Sequence, residues 1–189
     1  VADTESRQRL VAGAADMMRR RGLNATSVRE LAKHAQAPLG STYHYFPGGK
    51  YELAAEAVRW ADDLTTRALV KELQAGPLAG LRAFLKMWRK IVVDSDFRAG
   101  CPVLAASVED LPDDGTAPRD AAAVAFGNWT SLLAQSLRDH GASDAESLAV
   151  LIVAAVEGSV AMCRAQRSTE SLDQIAAQLE SLVAAVTDR

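Results

Sequence analysis

ATSVRELAKHAQAPLGSTYHYFPGGKYEL, residues 25–53, holds two helix starts, a tight turn and a helix stop within one short stretch. Ser27 and Glu30 stand in S-x-x-E spacing. In that arrangement the hydroxyl takes an orphan amide of the new helix and the glutamate returns to the serine amide. The spacing predicts a helix from Ser27 to about Ala35, with Val28, Leu31 and Ala32 facing inward. Pro38 marks a turn of about three residues, and a second short helix is expected over Leu39–Tyr45 before Pro47, Gly48 and Gly49 break the chain. Gly40 is expected to let this helix approach its neighbour closely. A helix this short is stable only when packed on others.

Helices are expected on both sides of this stretch. The first runs from about Glu5 to Arg21, with Leu10, Val11, Ala14, Met17 and Met18 on one face and Gly22 as its stop. Arg19, Arg20 and Arg21 crowd its last turn, where cations complement the helix dipole; a solvated helix end and a phosphate contact are both open readings for them. Downstream, helices are expected over Lys50–Gln74, Leu78–Asp94, a short stretch from Cys101 to about Glu109, and Arg119–His140. Two further capping boxes, Ser143 with Glu146 and Ser171 with Gln174, predict helices to about Gln166 and Thr187. No stretch alternates as a strand does, so the fold class is all-α with about nine helices. The expected division is a helix-turn-helix domain over 1–49 and a second helical domain over 50–189.

The formal net charge of the 189 residues is only -3, which does not mark a generic nucleic-acid binder. Its distribution is more informative: residues 1–60 carry nine Lys/Arg against six acids, and the remainder carries twelve against eighteen. A basic head on an acidic body suits a protein that meets DNA at one end. The two cysteines, Cys101 and Cys163, lack C-x-x-C spacing, so a reduced, cytoplasmic setting is expected. The longest apolar run, Leu148–Val156, has nine residues, less than half of a membrane span. The three histidines and the acids form no metal-ligand or nucleophile pattern, and no Gly-rich phosphate loop follows a strand. No enzyme, cofactor or metal is therefore expected.

Two short helices joined by a tight turn and braced by a third can carry a recognition helix into the major groove. Ser41, Thr42 and His44 are expected on its outward face, with Tyr43 and Tyr45 beside them, offering hydroxyl, imidazole and methyl groups to base edges. Thr26, Ser27 and Lys50 lie at helix N-termini, where amides, hydroxyls and an ammonium suit phosphate. Residues 25–53, above all Tyr43-His44-Tyr45-Phe46-Pro47 followed by Lys50, resemble the DNA-binding segment of the TetR family. The Phe46-Pro47-Gly48-Gly49-Lys50 form, with Gly100-Cys101-Pro102-Val103, resembles the branch of lincomycin-resistance and flavonoid-responsive repressors. The resemblance implies phosphate contacts from Thr26, Tyr45 and Lys50, and a base-proximal set of Ser41, Thr42, Tyr43 and His44. Two departures stand out: Leu39 replaces a frequent Lys or Arg, and Gln36 replaces the usual turn glycine.

Beyond residue 77 the pattern points to a dimer and a pocket. Leu148–Val156 is apolar all round, so a helix there must be covered on every side. Leu148, Ile152 and Val156, with Ile175, Leu179, Leu182 and Val186 of the last helix, are the expected homodimer interface. Phe84, Met87, Trp88, Phe97, Cys101, Leu104, Phe126, Trp129 and Met162 are the expected lining of a site for a small apolar effector, with Asn128, Glu157 and Arg164 as polar fixings. Cys101 reads first as a small buried hydrophobe in a tight turn, with a helix-start thiolate as the alternative. The function these features imply is a ligand-responsive repressor of double-stranded operator DNA. The alternative is a helical ligand-binding or scaffold dimer without DNA affinity.

Overall fold

The computed structural model describes residues 2–187. They form α1 (Ala2–Arg21), α2 (Val28–His34), α3 (Leu39–Tyr45), α4 (Gly49–Leu73), α5 (Pro77–Asp94), α6 (Pro102–Ser107), a 3₁₀ turn at Asp113–Gly115, α7 (Ala117–Asp139), α8 (Ala145–Gln166) and α9 (Glu170–Thr187). There is no strand among the described residues. Packing divides the chain into one unit of Val1–Asp63 with Cys101–Ala125 and another of Leu64–Gly100 with Phe126–Arg189. These units are drawn differently from the expected 1–49 and 50–189 division: α6 and the start of α7 group with the N-terminal helices.

In the first unit α1 packs on α2, α3 and α6. Leu10, Ala14 and Met18 of α1, Leu31 and Ala32 of α2, and Phe46 form its buried centre. The capping box at Ser27 is present, with Glu30 N–H donating to Ser27 Oγ at 3.2 Å and Ser27 N–H donating to Glu30 Oε2 at 2.9 Å. The glycine that permits close helix approach is Gly13: a Cβ there would stand 3.0 Å from that of Ala35. The expectation for Gly40 is corrected, because nothing lies within 4 Å of a Cβ placed on it. Gln36 adopts φ +52°, the left-handed conformation that glycine takes without strain, so the turn is kept despite the substitution. After Gly22, Leu23 N–H donates to Glu109 Oε1 at 2.7 Å and Asn24 Nδ2 to the Asp110 carbonyl at 3.1 Å, tying the end of α6 to the α1–α2 loop.

In the second unit α5, α8 and α9 pack on one another. Leu81, Phe84, Leu85, Trp88 and Val92 form the buried stripe of α5. Arg82 pairs with Glu180 at 2.8 Å and Arg89 with Asp173 at 2.9 Å along the α5–α9 seam. The two capping boxes expected here do not form. Asp144, not Ser143, is the N-cap of α8, and Glu146 is taken by Arg138 from the preceding helix. Ser171 already lies inside α9 and donates to Gln166 Oε1 at 2.6 Å, while Gln174 donates to Glu170 at 3.2 Å. α8 is long and apolar enough by length and composition to cross a membrane, with a window of mean hydropathy 1.8, but 44% of that window is buried inside the fold. The nine-residue run therefore understates the apolar length of this helix.

Candidate nucleic-acid interface

Successive helical residues turn by about 100°, so the seven residues of α3 share out around all its sides. Thr42 and Phe46 point inward, both fully buried. Leu39, Gly40, Tyr43 and His44 are exposed, and Ser41 and Tyr45 are half-buried at the edges of that face. Thr42 is therefore a correction: it belongs to the packing side of α3, with its hydroxyl buried and unpartnered. The outward set is Leu39, Gly40, Tyr43 and His44, flanked by Ser41 and Tyr45.

The aromatic run locks the C-terminal end of α3. The His44 and Tyr45 rings meet edge to face at 5.1 Å, and Tyr45 meets Phe46 at 6.5 Å. The Arg7 guanidinium sits 5.1 Å over the Phe46 ring while pairing with Glu56 at 2.5 Å, so α1 and α4 both hold this corner. Phe46 is wholly buried and packs.

Thr26 is the second correction. It is 3% exposed, and its hydroxyl donates to the Leu23 carbonyl at 2.8 Å, which shapes the loop instead of facing a phosphate. Ser27 is exposed at the start of α2, with its hydroxyl engaged in the cap. Lys50 is half-buried in the first turn of α4, its ammonium 6.0 Å from the Tyr51 ring centre. Desolvation draws its pKa below the ordinary lysine value, against the opposing pull of Glu109 and Glu30. Hydrogen bonds from Ser27 hold the Glu30 carboxyl below its usual range. Arg29 stands exposed beside Ser27, a cation that the motif reading left out.

The arginine cluster divides. Asp16 takes Arg19 at 2.6 Å, Arg20 at 3.0 Å and His34 at 3.0 Å, so Arg19 and Arg20 are tied to the α1 surface. Burial opposes ionisation of Asp16, but the hydrogen bonds from Arg19 and Arg20 outweigh it and hold its pKa below the usual carboxylate value. Arg21 is exposed and borders an open groove of about 490 Å³ with Lys33 and His34.

The expected effector set is spread over both units. Phe84, Trp88 and Trp129 interlock at 6.0–6.4 Å between ring centres, and Phe126 meets Trp129 edge-on at 5.6 Å. Trp88 Nε1–H is buried without an acceptor. Met87 and Phe97 are half-buried, but Met162 is 49% exposed on α8, a correction to its place in an interior lining. Cys101 is the buried N-cap of α6, accepting from Leu104 N–H at 3.4 Å, and both residues group with the first unit. Glu157 is buried on the inward face of α8.

The expected dimer stripe divides between the interior and the surface of the chain. Ile152, Val156 and Leu179 are almost wholly buried within the chain, Leu148, Ile175 and Val186 are half-buried, and Leu182 alone of that set is exposed. The outward face of α8 carries Leu151, Ala154, Gly158, Ala161 and Met162.

A short recognition helix with one open face, held by two others, defines a helix-turn-helix DNA-binding regulator. Residues 10–57 match the model for bacterial regulatory proteins of the tetR family, and residues 77–178 match the LmrA/YxaF-like transcriptional regulator C-terminal domain. The chain belongs to the TetR family of transcriptional regulators. It is 40% identical over 185 residues to the uncharacterized HTH-type transcriptional regulator Rv0196 of Mycobacterium tuberculosis, covering 95% of this chain and 94% of that protein. It is 27% identical over 184 residues to the HTH-type transcriptional regulator LmrA of Bacillus subtilis, covering 95% and 97%. A regulatory protein TetR structure from Rhodobacter sphaeroides superposes with a TM-score of 0.80 at 26% identity, covering 92% of this chain and 96% of that one.

Proposed function

We propose that this chain is a cytoplasmic repressor that binds a palindromic operator as a homodimer and leaves it when a small apolar effector enters the helical C-terminal region. The observation that carries this reading is the open face of α3, where Tyr43 and His44 stand exposed on a helix whose other side is buried. Ser41 and Tyr45 border that face, while Lys50 and Arg29 supply cationic groups for phosphates. One such helix reads only a few base pairs, so useful affinity needs two, set about 34–36 Å apart on successive major grooves.

The exposed side of α8, with Leu182 of α9, supports self-association through Leu151, Ala154, Gly158 and Met162, whose small members permit close helix approach. For the effector, the aromatic cluster of Phe84, Trp88, Phe126 and Trp129 and the unpaired Trp88 N–H support an aromatic compound bearing an acceptor. Glu109 gives α6 a direct hold on the α1–α2 loop. The coupling of ligand and DNA is expected to be about 1–3 kcal/mol and reciprocal.

Fluorescence anisotropy tests the reading, using DNA from the intergenic region beside the gene against a scrambled duplex over a salt series. Saturable, selective binding by two protomers, relieved by an effector, is the expected result. Equal weak binding to both duplexes at low salt, with and without candidate effectors, would instead identify a ligand-binding dimer that does not read DNA.

A further inference from the structure

We infer that Leu39 reads a C5-methyl group at one fixed position in each operator half-site, an inference that rests on the DNA-binding reading above. Leu39 is the first residue of α3, the end of a recognition helix that meets base edges. It is 38% exposed and lies on the same side as Tyr43, one helical turn on. Next to it Gly40 leaves open space, with nothing within 4 Å of a notional Cβ, so neither side chain nor neighbour holds the backbone away from a groove floor.

The chemistry of the side chain limits what it can recognise. Leucine offers no donor, no acceptor and no charge, so it adds nothing to a phosphate or to a polar base edge. The apolar feature of the major groove is the 5-methyl of thymine; the same group is carried by 5-methylcytosine. Where the resembling family often carries Lys or Arg, a leucine at the leading position of α3 therefore offers only an apolar surface, one that selects a methylated pyrimidine. Thr42, the other methyl-bearing residue of the helix, is buried and cannot take this role.

The test starts with duplexes selected from a randomised pool by the full-length protein. Each thymine of the resulting consensus is then replaced singly by deoxyuridine, which removes only the methyl. One position per half-site is expected to lose about fourfold in affinity, the ~0.8 kcal/mol associated with one buried methyl-sized group. In Leu39→Ala the thymine duplex binds more weakly by a similar factor, and the uracil duplex at that position shows no further loss. Leu39→Met restores the preference. If the position is cytosine in the consensus, 5-methylcytosine there binds more tightly than cytosine, identifying the second source of the methyl. Melting curves of both variants, matched to the parent, confirm that the fold is intact. Tolerance of uracil at every position, with no gain from 5-methylcytosine, overturns the assignment to Leu39 and leaves the repressor reading standing. A uracil penalty that persists unchanged in Leu39→Ala does the same. Failure to select any consensus overturns both.

Discussion

Replacing Thr42 by valine separates the packing side of α3 from its reading side. Thr42 is fully buried and its Oγ1 has no hydrogen-bond partner. A buried hydroxyl left unpaired costs about 1–3 kcal/mol. Valine keeps the β-branched shape while exchanging that hydroxyl for a methyl, so little rotamer freedom or volume changes. Thr42→Val is expected to stabilise the protein by about 1–2 kcal/mol, the lower part of that range because the added methyl must fit existing packing. For a chain of this length that is a rise in Tm of about 2–8 °C. Thermal melts at one fixed protein concentration measure it, since the proposed dimer would make Tm depend on concentration. Selective DNA binding should be unchanged. Tyr43→Ala and His44→Ala should show the converse, lost DNA affinity with melting within about 0.5 kcal/mol of the parent. A folded Thr42→Val protein that melts no higher and binds operator tenfold more weakly would refute the inward placement and restore Thr42 to the base-reading set.

Asp16→Asn removes a carboxylate whose folded pKa is held below the ordinary value by Arg19 and Arg20 against the opposing effect of burial. A depressed pKa contributes stability above the unfolded value of about 3.9 and loses it as pH falls through the folded one. The stability gap between parent and variant should therefore be full near neutrality and close below pH 4 in acid melts. Gln36→Gly relieves the φ +52° conformation and should stabilise by about 0.5–1 kcal/mol in denaturant titrations, after the added flexibility of the unfolded chain is counted. Glu109→Ala removes the acceptor of Leu23 N–H and should destabilise by about 1–2 kcal/mol. Leu151→Glu should give monomers in light scattering, whereas Ile152→Ala should cost about 2–4 kcal/mol of stability and leave association intact.

Local chemistry made the reading head legible. The Ser27 cap, Pro38 and the Pro47-Gly48-Gly49 break act within a few residues of themselves, and the two helices they delimit are present at α2 and α3. The same local logic failed at Ser143 and Ser171. A capping box assumes that its glutamate has no better partner, and at Glu146 the guanidinium of Arg138, eight residues earlier, claims it. At Ser171 the helix has already started, so its hydroxyl turns back to Gln166. Partners outside the four-residue box decide such caps, and its spacing rule does not contain them.

Facing was harder to read than helix position, for two distinct physical reasons. In α3 the run Ser41-Thr42-Tyr43-His44 supplies four groups suited to base edges, but four consecutive helical residues span about 300° and cannot share one face. The period alone would have separated Thr42 from Tyr43; chemical suitability hid it. In α8 the period carries no such signal, because apolar residues occupy every side from Leu148 to Val156. A stripe through Leu148, Ile152 and Val156 and one through Leu151, Ala154 and Gly158 fit the sequence equally well. What separates them is packing on α5 and α9: Ile152, Val153, Val156 and Val160 lie inside together with Ala145 and Ala149, while Val150, Leu151, Ala154, Gly158 and Met162 are left outside. On that outward face Ala154 and Gly158 leave room for a second backbone beside the larger Val150, Leu151 and Met162. Which side of α8 turns inward is thus set by its contacts with α5 and α9, a distinction that neither hydrophobicity nor side-chain size along the helix registers.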